Sequence, residues 1–237
     1  MAKKRLSEKS WLESATPDPM LKFIALRASE RKLRLLGCAA CRRIWKHLKD
    51  QRSRDAVETV ERFADGRTYE SLDKTYEAAV SAFCELNNEW QTTVSAAAAV
   101  HHLSIPEEFK RAVADCLGCA ADAEVFVAAL EIDSGRVMAP NWETLIAKRE
   151  KAAQAKMVRE IFGNPFSPIH FNPSWRRQHV LTLAEKIYDE RAFDRLPILA
   201  DALEQAGCEN QEVLNHCRES GPHVRGCWVV DAVLGKE

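Results

Sequence analysis

The sequence predicts an all-α protein, and two observations lead to this prediction. Apolar residues recur at three- and four-residue spacing along most of the chain, which is the period of an amphipathic helix. No segment shows the sustained alternation of a half-buried strand, and the pair Asp65-Gly66 ends a helical pattern instead of joining two β-branched runs. We expect an irregular multi-helix bundle of about nine helices.

Capping residues, glycines and prolines divide this pattern into elements. Residues 1–10 are polar and are expected to fray, and Thr16-Pro17-Asp18-Pro19 is a helix-start signal. Ser29 and Asn210 are predicted N-caps. The last predicted helix contains residues 227–230, which a short strand would also suit. Beyond the start signal, helices are predicted at about residues 29–48, 53–66, 69–103, 106–133, 141–163, 174–190, 194–206, 210–217 and 222–234.

A proline-rich segment predicts the domain organisation. Residues 164–173 contain Pro165, Pro168 and Pro173, and this density of proline excludes regular helix. We expect a loop near residues 163–173 between an N-terminal helical body, residues 1–162, and a C-terminal helical subdomain, residues 163–237. The two parts are predicted to pack as one compact unit.

The composition indicates a globular protein without a membrane span or a secretory signal. Hydrophobic residues make up 46% of the chain and charged residues 29%, as in ordinary globular proteins. No apolar run approaches the roughly 18 residues of a membrane span, and the basic start is not followed by the apolar stretch of a secretory signal. We expect a cytoplasmic protein without a membrane partner. Its eight cysteines are then thiols, metal ligands or small core residues instead of a disulfide framework.

Charge is balanced over the whole chain but not locally. Residues 27–54 contain ten Lys/Arg and two acidic residues, whereas residues 55–133 contain five Lys/Arg and sixteen acidic residues. The favoured interpretation is that these stretches pack together or face solvent. The alternative is an anion-binding face formed by Arg42, Arg43 and Lys46, with nucleic acid a less favoured partner of helix 31–54.

Cysteine and histidine spacing suggests a metal site. Cys38 and Cys41 form one Cys-x-x-Cys pair and Cys116 and Cys119 another, each inside a predicted helix where both sulfurs share a face. Cysteines and histidines are dense again near the C-terminus. The favoured interpretation is that these are packed thiols and capping histidines with no cofactor; the alternative is a tetrahedral zinc site that joins Cys38 and Cys41 to two of Cys217, His223 and Cys227.

Motifs of common enzyme classes are absent from the sequence. It contains no phosphate-binding Gly-x-x-x-x-Gly-Lys loop, no nucleophile elbow, no His-Glu-x-x-His and no Gly-x-Gly-x-x-Gly. An enzyme with polar residues converging near residues 163–173 is the least favoured alternative.

Several stretches match a family pattern: Trp11-Leu12 with Pro17 to Leu21, RKLRLLGCAACRRIW (31–45), RSRDAVETVERFADG (52–66), REIFGNPFSP (159–168), IYDERAFDRLPILADALEQAGC (187–208) and HCRESGPHVRGCWVVDAVLGKE (216–237). In these stretches the chain resembles a family of uncharacterised bacterial proteins that occur as many paralogues in planctomycete genomes. The resemblance implies no reaction, cofactor or ligand. It implies two fixed ends around a variable middle, about residues 67–149, which suits a recognition module.

Two functional hypotheses follow. The preferred one is a non-catalytic interaction or adaptor module that binds another protein through the variable middle. The alternative is a helical protein stabilised by zinc, with the basic helix 31–54 as a contact for nucleic acid.

Overall fold

The protein is built from α-helices. The computed structural model describes residues 6–25, 27–66, 70–85, 91–104, 109–133 and 141–236, and these ranges contain no strand, which confirms the all-α prediction. No helix in these ranges combines the length and the apolarity needed to cross a membrane. The helices are α1 (Glu8–Glu13), α2 (Asp18–Ile24), α3 (Glu30–Arg43), α4 (Gln51–Ala64), α5 (Glu70–Cys84), α6 (Gln91–Ser104), α7 (Phe109–Asp133), α8 (Trp142–Phe162), α9 (Gln178–Glu190), α10 (Leu196–Gln205), α11 (Gln211–Arg218) and α12 (Trp228–Leu234).

The predicted count of about nine helices is too low, since the described ranges contain twelve. Helix α1 lies partly in the stretch predicted to fray; the Ser7 side chain caps it and Trp11 is buried. The stretch predicted as a single helix from 69 to 103 contains two helices, α5 and α6, because the apolar period from which helix was predicted occurs in both.

Two compact units divide the chain, Met1–Val158 and Arg159–Glu237. The boundary was predicted between residues 162 and 163, whereas this division falls inside α8, so that the last turn of α8 belongs to the second unit. The proline-rich residues 163–172 contain no helix.

Helix α3 is the centre of the first unit, where it packs on α4, α6 and α7. The Ser29 hydroxyl caps it by accepting the Lys32 backbone N–H, as predicted. All residues from 33 to 41 are buried, which is more than the one apolar stripe that the sequence indicates. The buried guanidinium of Arg34 is paired with Glu30 at 2.7 Å and lies over the ring of Phe63.

Small residues allow the close packing around α3. A Cβ on Gly37 would lie 2.8 Å from Cδ1 of Leu103 on α6, so this glycine permits a close approach. The Cys41 sulfur lies 3.8 Å from the sulfur of Cys116 on α7, and both side chains are buried.

The second unit is a smaller bundle of α9 to α12 together with the last turn of α8. Asn210 caps α11 by accepting the backbone N–H groups of Glu212 and Val213, as predicted. The unit has its own apolar core, formed by Val180, Ala184, Ile187, Tyr188, Leu196, Leu199, Ala200, Leu203, Ala206, Cys208, Val213, Leu214, Cys217, Cys227, Val229, Val230 and Val233.

Two helical glycines test the packing of the first unit as a matched pair. A Cβ on Gly118 of α7 meets nothing within 4 Å, whereas on Gly37 it meets buried Leu103 at 2.8 Å. Gly118→Ala should stabilise the protein by up to about 1 kcal/mol through helix propensity. Gly37→Ala should destabilise it, since overpacking costs about 1–3 kcal/mol. Urea denaturation of both variants measures the difference; equal effects would contradict the close approach.

Candidate metal centre

Four side chains of the second unit bring their polar atoms together. They are Glu160, His216, His223 and Cys227, and one ligand atom from each lies within 4.8 Å of all the others. We call them the four-residue group. In the part of the chain that the structure describes, this is the group of His, Cys, Asp and Glu side chains with an arrangement suited to a metal ion.

The members of the group come from four places in the second unit. Glu160 lies in the last turn of α8, His216 lies on α11, His223 lies in the connection after α11, and Cys227 is the N-cap of α12. Gly163 ends α8 with a φ of 60°, and a Cβ there would lie 3.3 Å from the indole of Trp228.

Distances within the group are short. Glu160 Oε1 lies 3.0 Å from His223 Nδ1, and Glu160 Oε2 lies 3.3 Å from His216 Nε2. The same nitrogen of His216 lies 3.3 Å from the Cys227 sulfur. Glu160 is only 4% exposed, so its carboxylate depends on these neighbours and not on water.

Both histidines have a second partner outside the group. His223 Nε2–H donates to the backbone carbonyl of Glu219 at 2.9 Å. The indole Nε1–H of Trp228 donates to Nδ1 of His216 at 3.2 Å. The two rings meet edge to face, with centroids 5.1 Å apart. Both nitrogens of each ring therefore have a partner, and this fixes the ring orientations.

Glu160 and His223 shift each other's pKa. Burial alone would raise the pKa of Glu160, but hydrogen bonds from His216 and His223 and their charges lower it overall. Burial alone would lower the pKa of His223, but the hydrogen bond and charge of Glu160, together with the Glu219 carbonyl, raise it overall. Without a metal, Glu160 and His223 therefore form an ion pair.

The cysteines near this group are protonated thiols at neutral pH. Burial, and next the charge of Glu160, raise the pKa of Cys227 well above its ordinary value. The same causes raise the pKa of Cys217 to about 12. A nucleophilic cysteine needs a lowered pKa and access to its substrate, whereas Cys227 is fully buried. These properties disfavour nucleophilic catalysis by Cys227, and a metal ion would have to displace the thiol proton to bind this sulfur as a thiolate.

The donor set fits a zinc ion. Zinc in proteins is bound by thiolate, imidazole and carboxylate groups at about 2.0–2.3 Å, so ligand atoms of a tetrahedral site lie about 3.3–3.8 Å apart. The separations of 3.0 Å and 3.3 Å around Glu160 and 3.3 Å between His216 and Cys227 are close to this range.

Two of the five predicted metal ligands, His223 and Cys227, belong to the four-residue group. Cys217 is buried in the core of the same unit and is not a member of the group. Cys38 and Cys41 belong to the first unit and are not members either; the sulfur of Cys38 lies 3.9 Å from the carbonyl of Val57.

Sequence reasoning missed Glu160 and His216 as members of the group. His216 lies in the same C-terminal stretch, rich in cysteine and histidine, from which His223 and Cys227 were predicted. The same signal could therefore have identified it. Glu160 lies 63 residues before His223 in the sequence, on a helix that contains many other charged residues. No spacing pattern identifies it as a metal ligand.

The residues of the predicted anion-binding face lie in the first unit. Arg42 is paired at 2.9 Å with Glu61 and lies over the ring of Trp45. Arg43 is paired at 2.6 Å with Glu150, and both glutamates are buried. Lys46 is exposed. Since carboxylates already engage both guanidinium groups, the contacts favour a structural role for these arginines over phosphate binding.

Comparison with protein-family models, with curated proteins and with solved structures finds no match to this chain. Function is therefore inferred from the four-residue group itself.

The titration of the group predicts how the stability of metal-free protein depends on pH. Because the pKa of Glu160 is lowered, its contribution is complete above the ordinary value of 4.5 and is lost as pH falls through the lowered pKa. Because the pKa of His223 is raised, its contribution is complete below 6.5 and is lost as pH rises through the raised pKa. The stabilisation from this pair should be greatest between these two values.

Urea denaturation of chelator-treated protein across this pH range measures the effect. His223→Gln should remove the loss of stability on the alkaline side, whereas the matched variant His179→Gln, at an exposed position of α9, should retain it. An unchanged pH profile in His223→Gln would show that the pair does not form.

Proposed function

We propose that the second unit, Arg159–Glu237, binds one transition-metal ion in the four-residue group, with zinc as the best match, and that the ion stabilises this unit. The observation that carries the proposal is the convergence within 4.8 Å of a buried carboxylate, a buried thiol and two partly buried imidazoles. A mixed set of nitrogen, sulfur and oxygen donors suits zinc better than calcium or magnesium, which prefer oxygen alone.

A structural effect of the ion follows from where its ligands lie in the chain. Glu160 is at the end of α8, and Cys227 is at the start of α12. An ion held by both would connect segments that are distant in sequence. Since ligands are rarely arranged for binding in the unfolded chain, the free energy of metal binding adds to the stability of the fold.

The other functional hypotheses have weaker support. The interaction role of residues 67–149 and the resemblance to the planctomycete family stay predictions. The nucleic-acid role of helix 31–54 also stays a prediction, and the ion pairs of Arg42 and Arg43 argue against it. The metal site ranks above them because it depends on four side chains at known distances.

Metal analysis of single variants tests the proposal. Protein purified without a histidine tag should contain about one zinc ion per chain, and zinc at about 100 times its dissociation constant should add about 2.7 kcal/mol to the free energy of unfolding. Cys227→Ala and His223→Gln should lose the ion, because each removes a ligand. Elemental analysis and thermal melts measure both effects.

Matched variants make this test specific. Cys217→Ala removes a buried thiol of the same unit, and His179→Gln removes an exposed imidazole; both should keep the ion. Loss of metal in Cys217→Ala with retention in Cys227→Ala would contradict the assignment. Wild-type protein that binds no zinc would show that the group is only an ion pair.

A further inference from the structure

The hydrogen bond from Trp228 determines which nitrogen of His216 carries hydrogen. An indole N–H can donate but cannot accept, so Nδ1 of His216, at 3.2 Å from it, must present a lone pair. The hydrogen of the neutral imidazole then lies on Nε2. This nitrogen faces Glu160 Oε2 and the Cys227 sulfur, each at 3.3 Å.

A histidine in this state is a hydrogen-bond donor toward the group and not a metal ligand, because a ligating nitrogen needs its lone pair. His223 has the opposite arrangement. Its Nε2–H donates to the Glu219 carbonyl, so Nδ1 can offer a lone pair once its proton is released. Donation of the far N–H to a carbonyl or carboxylate is what metal-binding histidines usually show.

We propose, building on the proposed function, that the ion has three protein ligands, Glu160, His223 Nδ1 and the Cys227 sulfur, and that His216 is a positioning residue. Its Nε2–H donates to the carboxylate or to the thiolate and stabilises the ligand's negative charge. The fourth ligand is a small exogenous donor, water or a small anion, as in zinc sites that keep one position open.

The exposure of the side chains agrees with an open position beside His216. This side chain is 16% exposed, compared with 4% for Glu160 and 8% for His223. His216 is therefore the most exposed member of the group. The imidazole and the indole of Trp228, with centroids 5.0 Å apart, lie at that side of the group.

Trp228 is the residue that keeps His216 out of the coordination sphere. Trp228→Phe would preserve an aromatic ring but remove the N–H donor. His216 would then be able to carry its hydrogen on Nδ1 and bind the ion through Nε2. The variant should therefore turn a site with three protein ligands into one with four.

Cobalt(II) as a probe tests this directly. Proton NMR of the cobalt-loaded protein shows each coordinated histidine by a strongly shifted, exchangeable ring N–H signal. Wild-type protein should show one such signal, from His223, and Trp228→Phe should show two. Azide should change the visible spectrum of wild-type cobalt protein in a saturable way and should affect Trp228→Phe less.

A substitution of His216 itself gives a second measurement. Glutamine can accept the Trp228 N–H and donate to Glu160, so His216→Gln should still bind about one cobalt ion per chain, with affinity lowered by about 10–100-fold, the scale for partners of metal ligands. The sulfur-to-cobalt absorption of Cys227 should persist in this variant.

The possible results separate the inference from the proposed function. Two shifted N–H signals in wild-type protein, or complete loss of cobalt binding in folded His216→Gln, would overturn the three-ligand site and leave the proposed metal binding intact. Failure of wild-type protein to bind cobalt would overturn both.

Discussion

The buried carboxylate of Glu160 is the constraint on which the second unit depends. An ionised carboxylate removed from water is costly unless charges and hydrogen bonds replace its hydration. Here the replacement comes from His216 and His223, at 3.3 Å and 3.0 Å. Because both histidines follow α10, their contacts tie the end of α8 to the last part of the chain. A metal ion in the same place would also compensate the buried charge of Glu160, through stronger bonds.

The same constraint explains the charge distribution of the first unit. Glu61 and Glu150 are buried, and the guanidinium groups of Arg42 and Arg43 compensate them. The excess of basic residues in the stretch 27–54 is thus used partly to pair with carboxylates from elsewhere in the unit. Glu61 lies in the acidic stretch 55–133, so its pair with Arg42 agrees with one part of the favoured interpretation, that the two stretches pack together; Glu150 lies outside that stretch.

Local sequence patterns predicted most of the helices. They could not predict contacts between residues that are distant in the sequence. The caps Ser29 and Asn210 and the apolar period depend on neighbouring residues, and both caps are confirmed. Cys38 and Cys41 have a metal-site spacing, but both lie in residues 33–41 of α3, which are all buried where this helix packs on α4, α6 and α7. His223 and Cys227 stood out by local density. Glu160 meets His216 and His223 only in the folded chain, so the residues around it in the sequence do not indicate its role.

X-ray absorption at the zinc edge tests the central claim most directly, because it counts the atoms bound to the ion. An ion bound by Glu160, His223 and Cys227 should show one sulfur at about 2.3 Å and otherwise nitrogen and oxygen at about 2.0–2.2 Å, and Cys227→Ser should lose the sulfur contribution. Two or more sulfurs would contradict it and would instead favour a site that includes Cys217 or the pair Cys38 and Cys41.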